Sequence, residues 1–546
     1  MKKNRYLSSL LIVIAAAAAA GGCSSISDKQ AESSQEIKTF TGIFASPQVT
    51  ISEDNVIKKL IAEKTGAQCD ERFLEDSKDL VDIASKMINS DDYTDFVFAN
   101  NEQNLFTDSN SFIAIDEYWD GCDNLKNYFS EYEWNKIRSD DGHIYFIPIY
   151  SNVYMYDTAT TQDEEAFWVQ VKVLKWAGYP EITTLDEYFD LLEQYIRANP
   201  KAEDGSDNIG YEILTDGYLY FCMENVPQFL DGYPNDGCCI VDPDKLEAVD
   251  YNTTDTAKRW FKKLNEEYHN GIIDPDCFVM TSEEYMQKLN TGNVLGMVDQ
   301  FWNFSGAVSS LPDECAYIPL GVVIDEGITE HYHSEVALNA SQGIGVTVGC
   351  NDKKGAVKFI NDLLDPEIHR LRFWGLEGKD YSTDSEGKFY FTDKQTQQNE
   401  DKDYYIKNKC VYPCFPYYKG MDRDGINAFS PQYQPSEFYK KLSSIIQECF
   451  SAYGVQTYSE MLNKTEKSKP WYPMWSYANT FSQTTQFGEI KLSMDTVKHE
   501  YLPKVIMSDD FESAWNEYMQ VYSSECDIRT YLKVLTDEVK RCAGQQ

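Results

Sequence analysis

Strands and helices alternate from Ile37 onward, and this order restricts the possible folds more than any other feature of the chain. Three short apolar segments have the composition of buried strands: Lys38–Phe44, Ala67–Phe73 and Asp95–Ala99. Two segments with helical spacing separate them, one capped by Ser52 and ended by Gly66, the other beginning at Ser77. This β-α-β-α-β order predicts an α/β fold with a mostly parallel sheet, and ligands usually bind at the carboxyl ends of such strands.

The pattern begins again after Tyr150. Thr184 and Glu187 form a capping box at the start of a predicted helix. Later predicted elements are the helices Asp255–His269 and Ser282–Leu289 and the strands Val294–Val298 and Ile344–Val348. The chain has 546 residues, about three to four times the usual size of a domain, so it is expected to contain more than one core.

The charge balance limits the partners of this chain. Acidic residues outnumber basic ones 89 to 49, for a net charge of −40. Nucleic acid and anionic membrane surfaces require a basic face, so neither is an expected partner. The chain also has 38 tyrosines and 10 tryptophans, rings that often contact a ligand although most of them form core.

The first 36 residues predict export and anchoring. Basic residues precede the apolar run Leu10–Ala20, which is typical of a secretory signal. The run ends in Ala20-Gly21-Gly22-Cys23, which resembles a bacterial lipobox and predicts a signal peptide over 1–22 and lipidation of Cys23, with acyl chains such as palmitate. Residues 23–36 are serine-rich and predict a flexible tether. The expected location is the outer face of the cell membrane; the alternative is an ordinary signal cut near Ala20.

Several segments together resemble one family. They are Ile61–Gly66, Ile83–Val97, Thr291–Met297, Gly355–Leu363 and Gly375–Tyr381. The chain is similar to the extracellular solute-binding lipoproteins of bacterial ABC sugar importers, solute-binding protein family 1. The last two segments are the most specific, and the resemblance extends over most of the chain beyond Cys23.

The resemblance implies a two-lobed, periplasmic-binding-protein-like (type II) fold that holds a sugar between lobes joined by a hinge. Lobe 1 would comprise 37–150 plus about 344–410, and lobe 2 would comprise 151–343 plus about 411–546. The implied partners are a small sugar ligand, the permease subunits of an ABC transporter and, through Cys23, the lipid bilayer; the protein is expected to be a monomer. Some relatives bind calcium in a loop after the helix that ends here at Asn199, but Lys201 occupies a ligand position, so no metal is expected.

Sugar recognition requires flat aromatic rings beside hydrogen-bonding side chains. Such residues at expected strand ends and in the aromatic segment 471–475 are the candidate ligand contacts: Phe44, Asn100, Trp168, Asp299, Trp302, Asn303, Trp471 and Trp475. We expect Trp302 to form one stacking platform and Trp471 or Trp475 to form another.

Two other functions remain open from the residues alone. A secreted glycoside hydrolase would use two carboxylates, but among 89 acids some pair always looks suitable. A surface lipoprotein without transport function is the third possibility. No nucleophile, metal-binding or phosphate-loop motif occurs, and His331 and His333 lack an evident third ligand. We therefore expect no catalytic residues and no cofactor. Most of the cysteines are expected to be buried thiols, with Cys410–Cys414 the only local disulfide considered.

Overall fold

A computed structural model describes residues 37–76, 78–151, 159–334, 338, 340–422, 424–464 and 468–544. The predicted signal peptide, Cys23 and the tether lie outside the described residues. Among the described residues, no helix combines the length and apolar character needed to cross a membrane.

The secondary structure alternates between strands and helices, as predicted. The strands are β1 (Lys38–Phe44), β2 (Ala67–Phe73), β3 (Phe96–Asn100), β4 (Ile147–Pro148), β5 (Tyr150–Ser151), β6 (Glu165–Gln170), β7 (Ile209–Glu212), β8 (Ile240–Asp242), β9 (Glu247–Val249), β10 (Val294–Gln300), β11 (Tyr317–Leu320), β12 (Gln342–Val346), β13 (Ser382–Thr383), β14 (Phe389–Tyr390) and β15 (Tyr417–Tyr418). The α-helices are α1 (Val56–Thr65), α2 (Asp79–Ser90), α3 (Gln103–Asp108), α4 (Asp123–Lys126), α5 (Glu131–Ile137), α6 (Val171–Trp176), α7 (Leu185–Ala198), α8 (Phe221–Glu224), α9 (Val226–Leu230), α10 (Asp255–His269), α11 (Ser282–Leu289), α12 (Phe301–Val308), α13 (Lys353–Leu363), α14 (Pro366–Phe373), α15 (Asp393–Glu400), α16 (Lys402–Asn408), α17 (Pro435–Tyr439), α18 (Ser444–Tyr453), α19 (Met474–Ala478), α20 (Gln486–Met507), α21 (Phe511–Glu525) and α22 (Ile528–Ala543).

Two main sheets organise the chain. The first has the strand order β2-β1-β3-β12-β4 and the second has the order β11-β6-β10-β7. In the first sheet β1 pairs in parallel with β2 and β3, whereas β12 pairs antiparallel with β3 and β4. In the second, only β10 and β7 are parallel. The α/β prediction is confirmed, but the sheets are mixed rather than mostly parallel, because several neighbouring strands run in opposite directions.

Each main sheet has its own hydrophobic core. Around the first sheet, aromatic rings such as Phe96 and Phe359 pack with Phe415, whose ring centroid lies 5.2 Å from that of Phe96. Around the second sheet, Phe167 packs against Tyr188 and Trp260. The core of the first sheet extends beyond residue 410, the end predicted for lobe 1, because Phe415 and Phe429 belong to it. The strand β15 likewise pairs with β5, at Tyr150–Ser151.

Local capping explains where the helices begin. Asn55, rather than Ser52, caps α1, since its Oδ1 accepts a hydrogen bond from the amide of Lys58 at 3.0 Å. The side-chain amide of Asn55 also donates to the carbonyls of Ile406 and Lys409, which ties α1 to the carboxyl end of α16. The capping box of Thr184 at the start of α7 forms as predicted.

The cysteines of the described residues are all buried, and none forms a disulfide. The Cys410–Cys414 disulfide considered from the sequence is therefore wrong, and both thiols lie in the first core. The expectation that most cysteines are buried thiols is confirmed.

Candidate functional site

A pocket of about 380 Å³ opens where β10 ends and α12 begins. Gln300 is the last residue of β10, and Trp302 lies in the first turn of α12. The helices α19 and α20 supply two further walls, which include Trp475 and His499. The pocket thus lies at the carboxyl end of a strand of the second sheet, where α/β proteins usually bind ligands.

Two exposed tryptophans line this pocket. Trp302 is 53% exposed and Trp475 is 43% exposed, although rings of this size are usually well buried. The Trp302 indole N–H donates to Oε1 of Gln300. The backbone N–H of Trp475 donates to the carbonyl of Asp236 at 2.9 Å. Gly237, the residue after Asp236, has a φ of +70°, a conformation that favours glycine. A Cβ at this position would lie only 3.0 Å from the Cβ of Trp475, so glycine allows the loop to approach Trp475 closely.

Amide side chains surround the two rings. Asn225, Asn235, Gln300 and Asn479 all line the pocket. The Oδ1 of Asn225 accepts from the hydroxyl of Tyr251 at 2.8 Å. Each amide can both donate and accept hydrogen bonds, which matches the paired character of hydroxyl groups. The arrangement therefore suits a ligand with apolar faces and a rim of hydroxyls.

One face of α20 supplies the charged wall. Lys491, Asp495, Lys498 and His499 fall at helical spacings that place them on one side, and all four line the pocket. Lys491 donates to Oδ1 of Asn479 at 2.7 Å. The positive and negative charges at this wall are mixed rather than of a single sign.

A buried ion pair lies at the base of this wall. Nζ of Lys498 lies 2.6 Å from Oε2 of Glu224, and 3.3 Å from Oδ1 of Asp495. Burial by itself lowers the pKa of Lys498, but the two carboxylates outweigh it and raise that pKa above its usual value. Burial likewise raises the pKa of Glu224, yet Lys498 and His499 bring it below its ordinary value. Both groups are therefore charged at neutral pH, and the pair holds α8 against α20.

The sequence-predicted residues divide into three groups. Trp302 and Trp475, two of the rings predicted as stacking platforms, line the same pocket. Asp299 and Asn303 lie behind it: Asp299 is fully buried, and the Asn303 amide lies 3.1 Å from both of its carboxyl oxygens. Burial raises the pKa of Asp299 to about 6. These two residues support the start of α12 and do not line the pocket.

The remaining predicted contacts are elsewhere. Phe44 and Trp168 are buried core residues, because Phe44 packs on Phe73 and Phe415 and Trp168 packs on Phe301 and Phe304. At most 1% of either residue is exposed, so the structure places both in the core rather than at the ligand-contacting positions predicted for them.

Asn100 and Trp471 also lie away from this pocket. Asn100 ends β3 in the first sheet, where it pairs with Gln342. Trp471 is half-buried and lines a separate cavity of about 230 Å³ with Tyr472. Of the two alternatives for the second platform, Trp475 is therefore the one that shares a pocket with Trp302.

The loop considered for calcium carries an ion pair of its own. Nζ of Lys201 lies 2.6 Å from Oδ1 of Asp207, so a lysine ammonium neutralises this carboxylate. Among the described residues, no three His, Cys, Asp or Glu side chains are grouped as ligands of a metal ion.

Comparison with known proteins identifies the architecture. No protein-family model and no curated protein matches the sequence. Among solved structures, an ABC-transporter substrate-binding protein FusA of S. pneumoniae, an EF-hand mutant in complex with fructo-nystose, aligns over 93% of this chain and 100% of its own with 15% identity and a TM-score of 0.52. The fold is that of the two-lobed solute-binding proteins. An HMO-binding solute-binding protein associated with an ABC transporter, from Bifidobacterium longum infantis, aligns over 92% of this chain and 98% of its own, with 14% identity and a TM-score of 0.54.

Proposed function

We propose that this protein is the solute-binding component of an ABC importer and captures an oligosaccharide for delivery to membrane permease subunits. The observation that carries the proposal is the pocket at the end of β10, in which two exposed tryptophans stand among four amide side chains. The two-lobed fold agrees with this function, since a hinge lets lobes close on a ligand that contacts both. The protein would act as a monomer.

The pocket contains the groups that sugar binding requires. The indole faces of Trp302 and Trp475 would cover the C–H faces of pyranose or furanose rings. Asn225 and Asn235 would exchange hydrogen bonds with the hydroxyl groups. Binding in this form requires neither a metal nor a nucleophile, and we propose that the protein releases its sugar chemically unchanged.

A screen of neutral trisaccharides tests the proposed ligand class. The probes are kestose, maltotriose, cellotriose, xylotriose and mannotriose; the fructo-nystose in the FusA structure guides the inclusion of a fructan. A trisaccharide at 100 times its Kd is expected to stabilise the folded protein by about 2.7 kcal/mol. Chromatography of the incubated sugar tests for hydrolysis. Steady release of shorter products would favour the alternative function, a glycoside hydrolase.

Loss of either stacking ring is expected to weaken binding of the best trisaccharide. Trp302→Ala and Trp475→Ala should each cost about 1–3 kcal/mol, or roughly fivefold to more than a hundredfold in Kd measured by calorimetry. Trp176→Ala is the matched control, since Trp176 is 46% exposed but packs on Tyr195 outside this pocket. Equal Kd values for all three variants and the parent protein would contradict the assignment of this pocket.

We further propose that lipid on Cys23 holds the protein at the outer face of the cell membrane. The lipobox-like junction and the serine-rich tether support this, and several acyl chains are needed because one alone binds a bilayer only weakly. Cys23→Ala is expected to move the protein from the membrane fraction to the soluble extracytoplasmic fraction, with Ser24→Ala as the control that stays bound. Retention of Cys23→Ala in washed membranes would argue against the anchor.

A further inference from the structure

Glu165 is a fully buried acid directly beneath the pocket. It is the first residue of β6, and the strand register places it opposite Gln300 of β10. Side chains of directly opposed residues lie on the same face of a sheet, so the carboxyl and the Gln300 amide are neighbours. Glu165 belongs to no sequence motif described above, and it does not itself line the pocket.

Two of the four pocket amides lie beside this carboxyl. The Asn235 amide nitrogen lies 3.5 Å from Oε2 of Glu165. Gln300 is the cross-strand neighbour of Glu165, whose Oε1 makes no hydrogen bond among the described residues. The Oε1 of Gln300 accepts the indole N–H of Trp302. Gln300 therefore stands between the buried acid and the exposed ring.

We propose that Glu165 is a positioning residue that acts through Gln300 to hold the Trp302 indole in its ligand-binding orientation. This inference rests on the proposed function for its effect on sugar affinity, but not for its effect on the ring. Trp302 is more than half exposed, so few packing contacts are available to fix its orientation. The hydrogen bond to Gln300 supplies the missing constraint, and Glu165 in turn limits the orientations that the Gln300 amide can adopt.

The hydrogen-bonding groups around Glu165 suit this role. Burial, and then the nearby Asp299 carboxylate, raise the pKa of Glu165 well above its usual value. The amide oxygens of Gln300 and Asn235 accept hydrogen bonds from Trp302 and Gln228, so both amides have only N–H donors left for Glu165. Glu165→Gln keeps the shape and one acceptor oxygen, whereas Glu165→Ala removes the side-chain contact to both amides.

Fluorine NMR of the protein labelled with 5-fluorotryptophan tests the position of the ring without any sugar. The chain has 10 tryptophans, and Trp302→Phe assigns the resonance of interest. Glu165→Ala and Gln300→Ala are expected to shift or broaden the Trp302 resonance while that of Trp176 stays in place, and Glu165→Gln should shift the Trp302 resonance less than Glu165→Ala does. A Trp302 resonance unmoved in Glu165→Ala overturns the proposal. If Glu165→Ala fails to fold, Glu165→Leu takes its place, because leucine fills most of the buried volume without a hydrogen-bonding group, and an unmoved Trp302 resonance in that variant overturns the proposal.

A double-mutant cycle supplies the second readout, with the trisaccharide of largest thermal shift as the probe. Glu165→Ala should weaken binding about fivefold to tenfold in the parent protein. In the Trp302→Ala background the same substitution should weaken binding clearly less, because the part of its effect that passes through the ring is already lost and only the part that passes through Asn235 remains. Strictly additive losses would show a general structural role and overturn the proposal. If no trisaccharide binds, the proposed function fails while the fluorine result still decides the role of Glu165.

Discussion

Replacing Lys498 by methionine is expected to lower the free energy of unfolding by about 3–5 kcal/mol, because it leaves the Glu224 carboxylate buried without its cation. Both side chains of this pair are more than 90% buried, and their charged atoms are 2.6 Å apart. Methionine matches the lysine stem in length, so the loss measures the missing charge rather than a cavity. His499, 3.3 Å from the other Glu224 oxygen, gives only partial compensation.

Urea unfolding at pH 7 measures this loss, with Lys504→Met as the control. Lys504 lies in the same helix and pairs with Glu500 at 2.8 Å, but both side chains are more than half exposed. Exposed pairs of this kind contribute less than about 1 kcal/mol, so the control should unfold almost as the parent does. Similar losses of unfolding free energy in Lys498→Met and Lys504→Met would mean that the buried ion pair stabilises the fold no more than the exposed one.

The same variant has a predicted pH signature. The folded-state pKa of Glu224 is below its ordinary value, so its favourable contribution is complete above the unfolded-state pKa and is lost as the pH falls through the folded-state value. The difference in unfolding free energy between Lys498→Met and the parent should therefore be largest near neutral pH. It should become smaller in acid, where Glu224 becomes protonated in both proteins. If this difference in unfolding free energy stays constant down to acid pH, its cause is lost packing rather than lost charge.

The sequence predicted the order of the helices and strands better than it predicted which residues line the pocket. Periodicity and capping residues predicted α7, α10 and α11, because each has a regular apolar face and a clear start. The strand β10 and the adjacent Trp302 were also found, since a ring after a returning strand lies where ligands usually bind. Local signals of this kind are independent of the remainder of the fold.

The helix that completes the pocket was missed for a physical reason. α20 is 22 residues long, but its apolar residues are spread around the helix and Pro503 lies inside it. Its one informative signal is the spacing of Lys491, Asp495, Lys498 and His499, which places four polar residues on one face. That spacing predicts a shared face but not its neighbour, since Glu224 is distant along the chain and meets α20 only through tertiary packing.

The aromatic residues that were predicted from the sequence as ligand contacts differ in how deeply they are buried. Phe44 and Trp302 both follow or end a strand, but the ring of Phe44 is fully buried and that of Trp302 is largely exposed. Both β1 and β10 are interior strands of their sheets, but Phe44 belongs to β1 itself, whereas Trp302 lies in the first turn of α12, after β10 has ended. Proximity to a strand end alone therefore does not distinguish a core ring from an exposed ring.

Replacing Phe44 by alanine is expected to lower the unfolding free energy and leave sugar binding almost unchanged. Trp302→Ala is expected to do the reverse, weakening sugar binding at little cost in stability. The Phe44 ring packs between Phe73 and Phe415, each with its centroid 5.7 Å away, and its loss from the core should cost about 3–5 kcal/mol of unfolding free energy. Kd for the best trisaccharide, measured well below the midpoint of thermal unfolding, should stay within about twofold of the parent value because Phe44 belongs to the core of the first sheet and does not line the pocket.

Phe44→Leu provides the matched control, since it keeps most of the buried volume and should cost less than about 1.5 kcal/mol. Trp302→Ala should change the unfolding free energy by no more than about 0.5 kcal/mol, as surface substitutions usually do, while it weakens sugar binding. Measuring both quantities on all three variants separates packing from recognition. A Phe44→Ala protein that stays folded but loses sugar affinity as Trp302→Ala does would place the ligand on the first sheet, contrary to the pocket described at the end of β10.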